Sequence, residues 1–356
     1  MSTKVLICDD SGFARKQMAR SIPDGWEVEI SFAENGQQAI EMIKLGKADV
    51  MFLDLNMPVM DGYQTMQIIK EQDLPTMVIV VSGDVQSQAR VRMMQMGALD
   101  FIRKPVDNEK LTTILAQYGI YTGVPSASQT DSVDTSTPHS STSNPVSKTA
   151  FAAPSITKVP LAEKLDAYRE MANVAMGQAG EKLAKLLNEF IDLPIPNVNL
   201  IETTELHMAM AEISHNDSVS AISQGFISAG INGEAILIFN DSNFINMVKL
   251  LNYKQAKLDE SLELEALMDV TNILVSACLT ALSDQLNVKF THNHPIILGQ
   301  HCGLEELLEN NVSRWNQVLA IEIAYAIKTK SINFDLLLLF PDKSIDLMYE
   351  KLVEGG

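Results

Sequence analysis

Basic residues are scarce in this chain: 27 Lys and Arg stand against 45 Asp and Glu, for a net charge of −18. That imbalance argues against nonspecific binding to nucleic acid or to an anionic membrane surface, both of which draw on excess positive charge. Cysteine is almost absent. Cys8, Cys278 and Cys302 are odd in number and far apart, which reads as reduced thiols in a cytosolic protein rather than a disulfide framework. No apolar run reads as long enough to span a bilayer. The opening "MSTKVLICDD" turns acidic at once and lacks the apolar centre of a signal peptide. Neither a serine elbow nor a phosphate-binding loop is present. These absences leave a cytoplasmic chain expected to engage neither nucleic acid nor membrane.

A length of 356 residues predicts two or three domains. Residues 123–159, "GVPSASQTDSVDTSTPHSSTSNPVSKTAFAAPSITKV", are rich in Ser, Thr and Pro and carry no apolar period. Such a segment buries too little to offset its ordering entropy, so it predicts a flexible linker of 37 residues between domains at 1–122 and 160–356. A flexible chain of that length spans roughly 30–37 Å, which holds tethered partners at an effective concentration on the order of a millimolar.

Before the linker, strands and helices alternate. "KVLICDD", "EVEISFAE", "DVMFLDL", "TMVIVVSG" and "DFIRKP" are short apolar runs, with helical patterns near 12–22, 36–46, 61–71, 86–96 and 108–118. This predicts an α/β doubly wound, five-stranded parallel sheet. In such sheets the site lies at the carboxyl ends of the strands, where Asp9, Asp10, Asp54, Ser82 and Lys104 would converge. Three carboxylates at one point repel unless a cation joins them, and oxygen ligands suit Mg2+. A hydroxyl and an ammonium beside them suit a phosphoryl group. Asp54 then reads as a nucleophile toward phosphate.

These residues, over 1–122, resemble a response-regulator receiver domain of the CheY type. The resemblance implies that Asp54 accepts phosphate from a histidine kinase. It implies Mg2+ on Asp10 and Asp54, with Asp9 contributing through water and Asn56 through its backbone carbonyl. Ser82 and Lys104 would contact the phosphoryl oxygens, Phe101 would be the switch aromatic, and Lys104–Pro105 would be a cis step.

After the linker, "AEKLDAYREMANVAMGQAGEKLAKLL" predicts an amphipathic helix. Its apolar face comprises Leu165, Tyr168, Ala172, Ala175, Ala179, Leu183 and Leu186. Asp166, Glu170 and Asn173 lie on one stripe opposite, at about 0°, 40° and 340°, with Gly177 one turn further. A solvated face would account for one such stripe, but the pattern recurs. Asn173 precedes Pro196 by 22 intervening residues, and Asn272 precedes Pro295 by the same number. Glu265, Asp269 and Ser276 stand about Asn272 as Asp166, Glu170 and Gly177 stand about Asn173. "GEAILIFNDSNFINMVKLL" is similarly answered by "NFDLLLLFPDKSIDLMYEKL". The repeat predicts an α+β domain built from two copies of one unit.

Asp/Ser-x3-Glu-x2-Asn-x22-Pro resembles the signature of the CheC/CheX family of chemotaxis phosphatases, and two copies in one domain look more like CheC. The resemblance implies hydrolysis of the aspartyl phosphate of a CheY-like receiver. The Asn carboxamide would orient water, and the Glu would pair with the receiver's Lys. Positions three apart share a helix face, so one helix delivers both groups. Asp269 is one methylene short, which ranks Glu170 and Asn173 as the stronger site. The tether further implies that the receiver can dock on its own C-terminal domain. An adaptor without catalysis, binding a signalling or flagellar-switch partner under receiver control, remains the alternative. His292, His294, His301 and Cys302 form a weaker metal candidate, and Cys278 reads as core.

Overall fold

The computed structural model describes residues 2–121, 159–202, 218–251, 260–302 and 317–354. The expected linker, except residue 159, lies outside the described residues, as do the side chains of 260, 261 and Cys302.

Residues 3–117 alternate β1 (Thr3–Cys8), α1 (Gly12–Arg20), β2 (Val28–Ala33), α2 (Gly36–Lys44), β3 (Val50–Leu53), α3 (Gly62–Glu71), β4 (Met77–Ser82), α4 (Ser87–Met96), β5 (Asp100–Arg103) and α5 (Asn108–Gln117). The sheet is parallel throughout, in the order β2-β1-β3-β4-β5. Its strands read as nearly unbroken apolar runs because both faces are covered. Leu6, Met51, Leu53 and Val80 pack to one side, and Val5, Ile7, Phe52 and Ile79 to the other. Local capping sets the helix starts. Ser11 accepts from the Ala14 amide, and Asp61 and Gln64 form a reciprocal capping box.

Beyond the tether region come α6 (Leu161–Leu187), β6 (Asn197–Glu202), β7 (Val219–Ser228), β8 (Ile231–Asn240), α7 (Phe244–Leu250), α8 (Glu260–Leu286), β9 (Thr291–His292), β10 (Ile296–Cys302), β11 (Gln317–Ile327), β12 (Ile332–Pro341) and α9 (Asp342–Glu354). The strands form an antiparallel sheet in the order β10-β7-β8-β12-β11-β6, with β9 on β7. The hairpins β7–β8 and β11–β12 meet at the centre, where Leu337 faces Ile236. Side chains alternate along β12. Phe334, Leu336, Leu338 and Phe340 face a large core under α6, α8 and α9, while Leu337 and Leu339 join a smaller cluster on the other face.

Two expectations need correction. Leu186 is 45% exposed, and Leu187 takes its place in the core because α6 ends there, with Asn188 in the left-handed conformation. Leu262–Leu286 in α8 is long and apolar enough to cross a membrane, with mean hydropathy 1.5, so an apolar run of that length does exist. Here 61% of that window is buried, where Leu274, Val275, Cys278 and Leu282 pack in the same core as α6. A central core helix needs apolar groups on most sides, and composition alone does not separate it from a span.

Candidate active site

The carboxyl ends of β1, β3, β4 and β5 bring Asp9, Asp10, Asp54, Ser82 and Lys104 to one rim. Among the described residues, Asp9, Asp10 and Asp54 are the one group of three acids, histidines or cysteines whose ligand atoms all lie within 4.8 Å of one another. Lys104 Nζ reaches Asp9 Oδ2 at 2.7 Å and Asp54 Oδ1 at 3.4 Å. The Asp54 side chain is fully buried, and neither of its oxygens has a hydrogen bond. Ser82 Oγ accepts from the Asp84 amide at 3.1 Å, and Asn56 is half-buried with its Nδ2 unpartnered. Phe101 is buried, and the Lys104–Pro105 bond is cis.

The rim is covered by α6. Glu170 lies at 3.0 Å from Lys104 Nζ through Oε1 and at 3.3 Å through Oε2. Asp166 Oδ2 accepts the Phe13 amide at 2.7 Å, in the first turn of α1, where helix N–H groups lack partners and the helix dipole favours an anion. Asn173 is buried with its Oδ1 lacking a partner. Gly177 meets the β4–α4 turn: a Cβ added there would sit 1.8 Å from the Gly83 carbonyl oxygen. Pro196 is buried just before β6.

Burial is the main perturbation. It raises Asp10 to about 7, with Asp9 adding to the shift. Asp54 and Glu170 are also raised by burial; Lys104 opposes this, and the neighbouring acids add to it. Burial alone would depress Lys104, but Asp54, Asp9 and Glu170 outweigh it and hold the ammonium well above its ordinary value. Three acids thus crowd one ammonium, with Asp10 beside them, an arrangement with negative charge to spare for a cation.

The second stripe lies elsewhere. Glu265, Asp269 and Asn272 are exposed on α8, and Ser276 and Pro295 are half-buried. The histidines do not converge on a metal. His292 is held by Gln224 at 2.7 Å and Ser276 at 3.3 Å, whereas His301 pairs with Asp241 at 2.9 Å and Glu263 at 3.5 Å. Cys278 is a free, fully buried thiol raised by burial to about 12.

Several contacts had no sequence signal. Gln86 donates through Nε2 to the Ile191 carbonyl at 2.8 Å and accepts the Ile191 amide at 3.0 Å through Oε1. Phe13 packs against the core of residues 161–352, and Phe190 packs against the core of the parallel sheet. Gly62 lies under the Asp54 carbonyl, where a Cβ would come within 2.4 Å; the "DG" step opening α3 is the one clue the sequence offered.

The response regulator receiver domain family matches residues 5–116. The chemotaxis protein CheY of Bacillus subtilis is 35% identical over 112 residues, 31% of this chain and 92% of that protein. The chain belongs to the response regulator receiver family. A protein-glutamate methylesterase/protein-glutamine glutaminase of Syntrophomonas wolfei is 39% identical over 104 residues, 29% of this chain. This chain spans under a third of that methylesterase's length, 30% of it. Among solved structures, Thermotoga maritima FliY is matched over 56% of this chain and all of that one, at 18% identity and a TM-score of 0.43. The N-terminal part is therefore a receiver of the two-component and chemotaxis type. Receivers hold Mg2+ at an acidic pocket, and the clustered carboxylates of Asp9, Asp10 and Asp54, the last without a hydrogen bond on either oxygen, fit that ion.

Proposed function

We propose that this chain is a two-component signalling protein in which residues 160–356 form a CheC/CheX-type phosphatase domain, tethered by 123–159 to the receiver at 1–122. Asp54 takes phosphate from a histidine kinase, and α6 promotes its hydrolysis, in cis on the chain's own receiver and in trans on a CheY-like one. The observation that carries this reading is Glu170 on Lys104 at 3.0 Å, with Asn173 buried one turn beyond it, its Oδ1 unpartnered and its backbone against the Gly83 turn. The sheet order, with two hairpins meeting at β8 and β12 and each long helix preceding one set of strands, supports two copies of one unit. A cytoplasmic location suits this role.

Mg2+ held by Asp9, Asp10 and Asp54, with the Asn56 carbonyl, would offset the charge of the phosphoryl oxygens. The Ser82 hydroxyl and Lys104 bind those oxygens, and Glu170 keeps Lys104 aligned. The Asn173 amide orients a water in line with phosphorus. The water oxygen bonds to phosphorus as the bond to the Asp54 oxygen breaks. Asp54 leaves as a carboxylate, and the water's proton departs with inorganic phosphate. Asn272 and Asp269 would supply a second, weaker site on α8.

Phosphate release from a phosphorylated CheY-like receiver, followed with wild type and Asn173→Ala, tests this reading. Loss of release in the variant is expected. Absence of release from wild type, with the receiver still bound, would instead favour the adaptor.

A further inference from the structure

The contact between the receiver and α6 extends well past the reacting groups. Phe13 packs against one core and Phe190 against the other, and Gln86 grips the backbone N–H and carbonyl of Ile191 across 105 residues of sequence. Gln86 and Ile191 are both buried, at 2% and 0% exposure. The Gln86 side chain does not cap its own helix. A buried glutamine with both amide atoms on the backbone of another segment behaves like an added strand pair, and it requires the primary amide.

The rim beneath is narrow. Asp54 is fully buried, and the cavity lined by Asp9, Asp54, Lys104 and Glu170 measures about 20 Å³, room for about one water.

We propose that Gln86 is the specificity-determining residue by which residues 160–356 select the chain's own receiver, and that the receiver clamped by it is closed to phosphodonors until the Gln86–Ile191 pair opens. A receiver with an apolar side chain at this position loses both bonds, and a carboxylate there loses the one donated to the Ile191 carbonyl. Phosphorylation is thus confined to chains whose receiver has come away from α6. This rests on Asp54 being the phosphorylation site and on the contact described above, and it does not require hydrolysis.

The test uses the full chain in an Asn173→Ala background, so that hydrolysis does not enter. Initial labelling of Asp54 by acetyl phosphate with Mg2+ is compared with hydrogen exchange at the Ile191 amide, for Gln86, Gln86→Ala and Gln86→Glu. Gln86→Ala, which loses both buried hydrogen bonds, is expected to speed labelling by about tenfold and exchange at Ile191 in parallel, and Gln86→Glu, which loses the donor and sets a charge against the Ile191 carbonyl, is expected to speed both as well. Gly177→Leu, which opens the same contact from the α6 side, should speed labelling equally. Unchanged labelling and exchange in both Gln86 variants would overturn the proposal, as would faster labelling in Gly177→Leu alone. Protection retained in β1 and β3 verifies that each receiver is folded. Failure of the phosphatase reading would show separately, as no phosphate release in the Asn173 parent of this series.

Discussion

Gly177 of α6 and Gly83 of the β4–α4 turn touch backbone to backbone: a methyl on Gly177 would come within 1.8 Å of the Gly83 carbonyl oxygen. Backbone cannot yield as a flexible side chain can, so Gly177→Leu should separate the two sheets while leaving each folded. Small-angle scattering is expected to show a larger radius of gyration for the variant. An unchanged radius would mean that the contact tolerates a side chain there.

Asp54→Asn should abolish labelling by acetyl phosphate. Asp9, Asp10 and Asp54 share the rim, but Asp54 alone of these acids is fully buried with neither oxygen hydrogen-bonded, its charge met by Lys104 at 3.4 Å. Labelling at the wild-type level in the variant would move the acceptor elsewhere.

Asn173→Ala should slow phosphate release by about 100-fold, the order expected when a positioning group is lost. Asn272→Ala should change it little, because Asn272 sits exposed on α8. Equal losses, or a loss confined to Asn272→Ala, would reverse this ranking.

Lys104→Met should destabilise the full chain by about 3–5 kcal/mol in urea unfolding, since removing one partner leaves buried charge uncompensated. Asp9, Asp54 and Glu170 all lie within 3.4 Å of the ammonium. Added Mg2+ should restore part of the loss. A variant as stable as wild type would show that these acids are already protonated.

Burial raises Asp84 from 3.8 to about 6, against the opposing pull of its bonds from Gln86. The folded state then holds this proton more tightly than the unfolded chain does. The group's contribution is most favourable below about pH 4 and falls away as pH rises to about 6. Asp84→Asn, which can keep the bond from the Gln86 amide, should flatten the stability profile between pH 4 and 6. A profile unchanged by the substitution would place the titration elsewhere.

Much of the receiver was legible in the sequence because its signals are local. Five apolar runs alternate with five helical patterns, and a strand followed by a turn carries its last polar residues to the sheet's carboxyl edge. The clustering of Asp9, Asp10 and Asp54 follows from that alone. The stripe of Asp166, Glu170, Asn173 and Gly177 was equally legible, since helical periodicity fixes which residues share a face.

Periodicity could not say what covers that face. Two helices carried the same stripe, and one proved buried under the receiver while the other stayed exposed. Only the tertiary structure separated them, through Phe13, Gln86 and Phe190, which are ordinary residues in their own neighbourhoods. The membrane-length run in α8 likewise gave no sign of its surroundings in the sequence, and in the structure its Val275 and Cys278 lie in the core. Local sequence determines which backbone pattern forms and which groups point outward. What those groups meet depends on surfaces far apart in sequence, from 66 residues for Lys104 and Glu170 to 153 for Phe13 and Asp166, and their complementarity exists only after both have folded.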